Sequence, residues 1–118
     1  MKHLANFDKE SAELILSGKK NIEIRFSKGK IAPFGQISSG DLVYIKPRGE
    51  DIAGQFRVKK VIFFDNPNLS DLSYLSGLSD LSQAPRYATL IFIGQSTRFI
   101  TSPIKSSGKR LNGWMVLD

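Results

Sequence analysis

The spacing of apolar and polar residues changes several times along the chain, and each change marks an element. Leu4 to Phe7 reads as a short first strand. Asp8 then occupies an N-cap position, where its carboxylate can accept from the free amides of a first helical turn. From Lys9 to Ser17, Ala12, Ile15 and Leu16 recur at helical spacing, and Gly18 stands where a left-handed residue ends a helix. From Asn21 to Phe26 the period becomes two. Ile22, Ile24 and Phe26 alternate with Asn21, Glu23 and Arg25, the pattern of a half-buried strand with Glu23 and Arg25 on the side opposite Ile22 and Ile24.

Residues 27–41 read as a loop with Pro33 and several glycines, ending in Ser39-Gly40-Asp41. Leu42 to Lys46 is a second well-formed strand, closed by Pro47, Arg48 and Gly49. Gln55 to Phe64 is a longer one, Ala88 to Ile93 and Arg98 to Thr101 are two more, and Trp114 to Leu117 is the last. Five or six strands with one clear helix predict an α+β fold: a small antiparallel or mixed β-barrel rather than a parallel sheet with crossover helices. Nothing reads as a linker, so residues 1–118 are expected to form one domain.

Leu69, Leu72, Leu75, Leu78 and Leu81 repeat with a period of three. Each such step falls about 60° short of a helical turn, so four steps rotate the stripe by roughly 240° and one straight helix cannot keep all five on a face. A short helical insertion near 68–83, broken at Gly77, resolves this. A leucine-rich surface for a protein partner over Leu69–Leu81 is the alternative, and inward packing is preferred to it.

Composition then narrows the chemistry. The chain is 118 residues long, 41% hydrophobic and 24% charged, enough to bury roughly two-thirds of its unfolded surface in one core. It has no cysteine and one histidine, His3, which argues against disulfides, thiolate metal sites and a Ser-His-Asp triad. Neither a metal nor a cofactor is expected. No apolar stretch approaches the roughly 20 residues of a membrane span, and Met1-Lys2-His3-Leu4 lacks the apolar core of a signal peptide, so no membrane association and a cytoplasmic location are expected. Seventeen Lys and Arg against eleven Asp and Glu leave a net charge of +6. Such a surface attracts polyanions, although many small proteins are basic without a nucleic-acid partner. The cations are scattered in pairs, so folding must assemble any positive face.

The most informative stretch is Gly18-Lys19-Lys20-Asn21-Ile22-Glu23-Ile24-Arg25. It sets an ammonium at a helix-to-strand turn, then a carboxylate and a guanidinium at i and i+2 on one strand face. Arg supplies a rigid fork for phosphate, Lys a mobile point charge, and Glu23 can hold either cation. The same residues also fit a surface salt-bridge ladder worth about 0–1 kcal/mol.

This octapeptide resembles the G-x-K-x-x-E-x-R pattern of the ASCH domain, a PUA-like β-barrel family, at Gly18, Lys20, Glu23 and Arg25. The Gly40-Asp41 turn before a hydrophobic strand, the long strand from Gln55 and the closing Gly113-Trp114-Met115-Val116 are similar to that family in order. The resemblance implies a small barrel with a cleft walled by the motif's Lys, Glu and Arg, and an RNA- or nucleotide-binding module in RNA metabolism or translation-linked regulation. Its ligand would be single-stranded RNA or a small anion. Tyr44 and Trp114 are aromatic candidates for stacking, and Lys46, Arg57 and Lys59 could extend the basic wall; burial of the rings and solvent exposure of the cations are the ordinary alternatives.

The resemblance also admits a hydrolase acting on RNA or a modified nucleoside. ASCH-type amidohydrolases of 4-acetylcytidine use a lysine, a threonine and a distant glutamate. Lys20 matches the lysine, but Glu23 takes the threonine's place, and no glutamate follows Asp51. A ribonuclease would use Glu23 as base, with Lys20 and Arg25 stabilising the phosphorane.

Overall fold

A computed structural model describes residues 1–66, 86–101 and 113–117. The expected insertion near 68–83 and the segment Leu69–Leu81 lie outside the described residues. The first element is β1, Lys2–Phe7. Asp8 then leaves the chain extended and accepts a hydrogen bond from the Ser11 amide at 2.7 Å, which opens helix α1 at Lys9–Leu16. The helix ends as the glycine predicts. Gly18 adopts φ +80°, its amide bonds the Ile15 carbonyl, and the Lys19 amide reaches back to the Leu14 carbonyl. These two bonds satisfy carbonyls that the helix leaves open and turn the chain sharply into the next strand.

That strand is β2, Ile22–Ser27. It is followed by β3 at Leu42–Pro47, β4 at Gly54–Asp65, β5 at Tyr87–Arg98 and β6 at Trp114–Val116. The strands form one mixed sheet in the order β2-β5-β4-β3-β1-β6. The β1–β3 pair is parallel and the other four are antiparallel. The sheet curls on itself as a half-barrel, with β2 and β6 as its two edges.

One expectation needs correction. Ala88–Ile93 and Arg98–Thr101 are not separate strands: β5 runs unbroken from Tyr87 to Arg98, and Thr101 lies beyond it. The polar residues Gln95, Ser96 and Thr97 look like a break but stay in the strand: β4 pairs with Ser96 and Thr97, and two register shifts around Val58 absorb the irregularity beside Gln95. The alternation in β2 left open which side is buried. Its inward face carries Glu23, which is buried, and Arg25, while Ile22 is 43% exposed. The pleat is as read, and the polar side faces in.

The core explains where this face points. Ala5, Phe7, Val43, Ile45, Phe56, Val58, Ile91 and Ile93 line the concave side of the sheet, and Ala12 and Ile15 of α1 pack onto them. Burying one such side chain stabilises the fold by roughly 1.5–3 kcal/mol. Strand register puts Glu23 beside Ile91 and Arg25 beside Thr89, two residues almost wholly shielded from solvent. The charged pair of β2 therefore sits at the margin of the apolar core.

Candidate functional site

The turn at Gly18 delivers Lys20 to the start of β2, three residues before Glu23. Lys20 Nζ donates to Glu23 Oε1 at 3.1 Å and to the Ser11 hydroxyl of α1 at 3.5 Å. Arg25 Nε donates to the other oxygen, Oε2, at 3.2 Å, and the Ile24 amide adds a bond to Oε1. Both oxygens of the carboxylate are thus held by cations. Two positive groups and one negative group leave a local charge of about +1, with 28% of the Lys20 side chain and 20% of that of Arg25 exposed.

Arg25 does more than pair with Glu23. Its Nη2 donates to the Asn6 carbonyl at 2.7 Å, and its guanidinium lies 4.6 Å from the Phe7 ring centroid and 5.3 Å from that of Trp114. Arg25 belongs to one edge of the sheet, while Asn6 and Trp114 belong to β1 and β6 at the other. The side chain therefore spans the seam where the half-barrel fails to close. Burial disfavours the charged guanidinium and pulls its pKa below the ordinary value, and the Glu23 carboxylate opposes that shift. The group remains a cation at neutral pH.

Trp114 is fixed from its far side. Its Nε1–H donates to His3 Nδ1 at 3.0 Å, and His3 Nε2 lies 2.8 Å from Asp41 Oδ2. An indole N–H only donates, so Nδ1 accepts and Nε2 carries the imidazole proton toward Asp41. Asp41 also accepts from the Ser38 amide and from the Met1 ammonium. Its own burial favours the neutral acid, but the hydrogen bonds from His3, Ser38 and the ammonium outweigh this and hold the carboxyl below the usual range. Gly40, at φ +91°, makes the turn that aims Asp41 inward.

The structure brings four of the sequence-predicted residues together: Lys20, Glu23, Arg25 and Trp114. The other four stand apart; Arg57 is exposed and donates to the Gly40 carbonyl. Tyr44 and Lys46 pair with Leu4 and Asn6, one step out of phase with the core residues His3, Ala5 and Phe7, so they lie on the convex face of the sheet. There Tyr44 packs against Phe99, and Lys46 is buried. Lys59 lies at the β4 bulge and is exposed. Sequence reasoning missed His3, Phe7 and Asp41. The alternation of His3, Ala5 and Phe7 in the first strand is the signal that places this lone histidine on a core face. Among the described residues, no group of three or more His, Cys, Asp or Glu side chains is arranged to hold a metal ion. None of their helices is long and apolar enough to cross a membrane.

Among the described residues, a curled mixed sheet with one short helix packed on its concave side defines a β half-barrel class of fold. Within that class the fold is that of the ASCH domain. The ASCH protein of Zymomonas mobilis superposes with a TM-score of 0.68 at 16% identity, covering 99% of this chain and 87% of that one. A mutant form of the same protein gives 0.70 over 99% and 88%. The hypothetical protein PH0355 gives 0.51 at 19% identity, covering 84% of this chain and all of that one. No family model and no curated protein matches the sequence.

Proposed function

We propose that this chain is an RNA- or nucleotide-binding module of the ASCH type, acting in RNA metabolism or translation-linked regulation, and that Lys20 and Arg25 take a phosphate of the ligand. The observation that carries this reading is the double engagement of Glu23. With each oxygen of one carboxylate bound by a different cation, Lys20 and Arg25 are held side by side in a half-buried patch that keeps a net positive charge. Such preorganisation suits an anion, because the cations need little reordering when it arrives. The same geometry makes Glu23 an orienting group rather than a free proton acceptor, which favours binding over hydrolysis. The overall charge of +6 adds long-range attraction for a polyanion.

The test is a titration of a fluorescently labelled single-stranded RNA across a series of salt concentrations. Log affinity should fall with log salt by about 0.7 per phosphate neutralised. Lys20→Ala should weaken binding and make that slope shallower. Binding that ignores salt and survives both Lys20→Ala and Arg25→Ala removes the proposal, and RNA cleavage abolished by Glu23→Gln replaces it with the hydrolase.

A further inference from the structure

The geometry points to His3 as a positioning residue for the ligand site, acting through Trp114 on Arg25. The inference rests on the binding role proposed for Arg25. An arginine side chain has several rotatable bonds, so its guanidinium works as a fixed phosphate fork only if its surroundings hold it. Glu23 and the Asn6 carbonyl restrain it in its plane. The Phe7 and Trp114 rings restrain it from outside that hydrogen-bond set. Phe7 is buried and packs edge-on against Phe56, so the core locks it. Trp114 is held less firmly: it touches the core but is only partly buried, on the three-residue edge strand β6.

The hydrogen bond from its indole to His3 Nδ1 adds a directional restraint that fixes the ring's orientation. His3 is wholly buried, and its own orientation is set by Asp41 on the other ring nitrogen. A chain of contacts thus runs from the turn before β3, through Asp41, His3 and Trp114, to the guanidinium at the seam. A phenylalanine at position 3 would fill the same space but offer no acceptor, so the requirement at this site is for the imidazole's nitrogens as well as its bulk.

Two substitutions separate this role from simple packing. His3→Gln can keep a donor near the Nε2 position for Asp41 while losing the acceptor for Trp114; His3→Asn can keep an acceptor near the Nδ1 position while losing the bond to Asp41. Both are measured for thermal midpoint, for emission of Trp114, the chain's one tryptophan, and for affinity to a labelled single-stranded RNA. We expect His3→Gln to shift the indole emission and weaken RNA binding about two- to five-fold, the size of one cation–π contact at a partly exposed site. His3→Asn should retain both properties even if its midpoint falls. In an Arg25→Ala background, His3→Gln should bring no further loss of binding. Equal affinity in His3→Gln and the unsubstituted protein overturns the positioning role alone, as does a loss in His3→Asn as large as that in His3→Gln. If the unsubstituted protein binds no RNA, the functional reading and this role fall together.

Discussion

The indole of Trp114 donates to His3 across 111 positions of sequence, tying the last described strand of the sheet to the first. The bond also orients the ring that lies over Arg25. Structural integrity and the candidate site therefore share residues, and substitutions here should be read for stability and for ligand affinity separately.

Asp41 makes the stability of this cluster dependent on pH. Its folded-state pKa lies below 3.8. The stabilisation it contributes is thus complete above the unfolded carboxylate value, near 4, and is lost as pH falls through the lower folded value. Urea unfolding between pH 2.5 and 6, a range chosen to span roughly both values, should show stability declining below about pH 4. Asp41→Asn should be less stable at neutral pH and show a shallower acid decline. The decline should not vanish, since Asp8 is also held below its ordinary value, by its bond from the Ser11 amide. An identical acid limb in the variant would rule Asp41 out as a contributor.

Glu23→Gln removes the charge that both cations share and leaves two half-buried positive groups facing each other. Removing one partner of a fully buried pair costs about 3–5 kcal/mol. Partial exposure of Lys20 and Arg25 lowers the expectation to about 1–3 kcal/mol. Urea denaturation checks this, and no change would mean the cluster is a solvated ladder.

The orientation of β2 predicts unequal sensitivity along six residues. Ile22→Ser should alter stability by no more than about 0.5 kcal/mol, as at other exposed positions, despite the loss of a large apolar side chain. Calorimetric midpoints of Ile22→Ser and Glu23→Gln should fall in the order opposite to their hydrophobicity.

Thr89 pairs with Arg25 across the sheet, and its hydroxyl is buried with no hydrogen-bond partner among the described residues. Thr89→Val keeps the shape and removes the unsatisfied group, so it should stabilise the protein by up to about 1 kcal/mol. A loss of more than that would show that the hydroxyl has a role in the folded state.

Gly54 lies where α1 meets the sheet. A Cβ there would come within 2.4 Å of both Leu16 Cδ2 and the Thr97 carbonyl oxygen. The backbone oxygen cannot rotate away, so Gly54→Ala should destabilise the protein by about 1–3 kcal/mol or more. A thermal midpoint close to that of the unsubstituted protein would contradict this close approach.

Local chemistry was legible in the residues themselves. Asp8, the apolar spacing of α1 and Gly18 act within one or two turns of chain, so the helix ends where they say. The proximity of Lys20, Glu23 and Arg25 follows from the same turn and from the two-residue pleat. The alternation in β2 was equally plain, but it left open which side is buried. A pleat specifies which residues share a face, and apolar side chains ordinarily claim the interior. Here the inward position offers Glu23 two cations and an amide, and offers Arg25 a carbonyl and two rings. Those partners offset the loss of water that would otherwise keep the charges outside.

The amino-acid order alone thus determined the helix and its caps, most of the strand segments, the mixed-barrel class and the grouping of three charges, because each depends on neighbours a few residues away. Tertiary structure decided that β5 is one strand, that Tyr44, Lys46 and Lys59 stand away from the seam, and that His3 and Trp114 stand behind Arg25. Those outcomes depend on which strands become neighbours. Register and curl bring residues 111 positions apart into hydrogen-bond contact, and no local pattern encodes that distance.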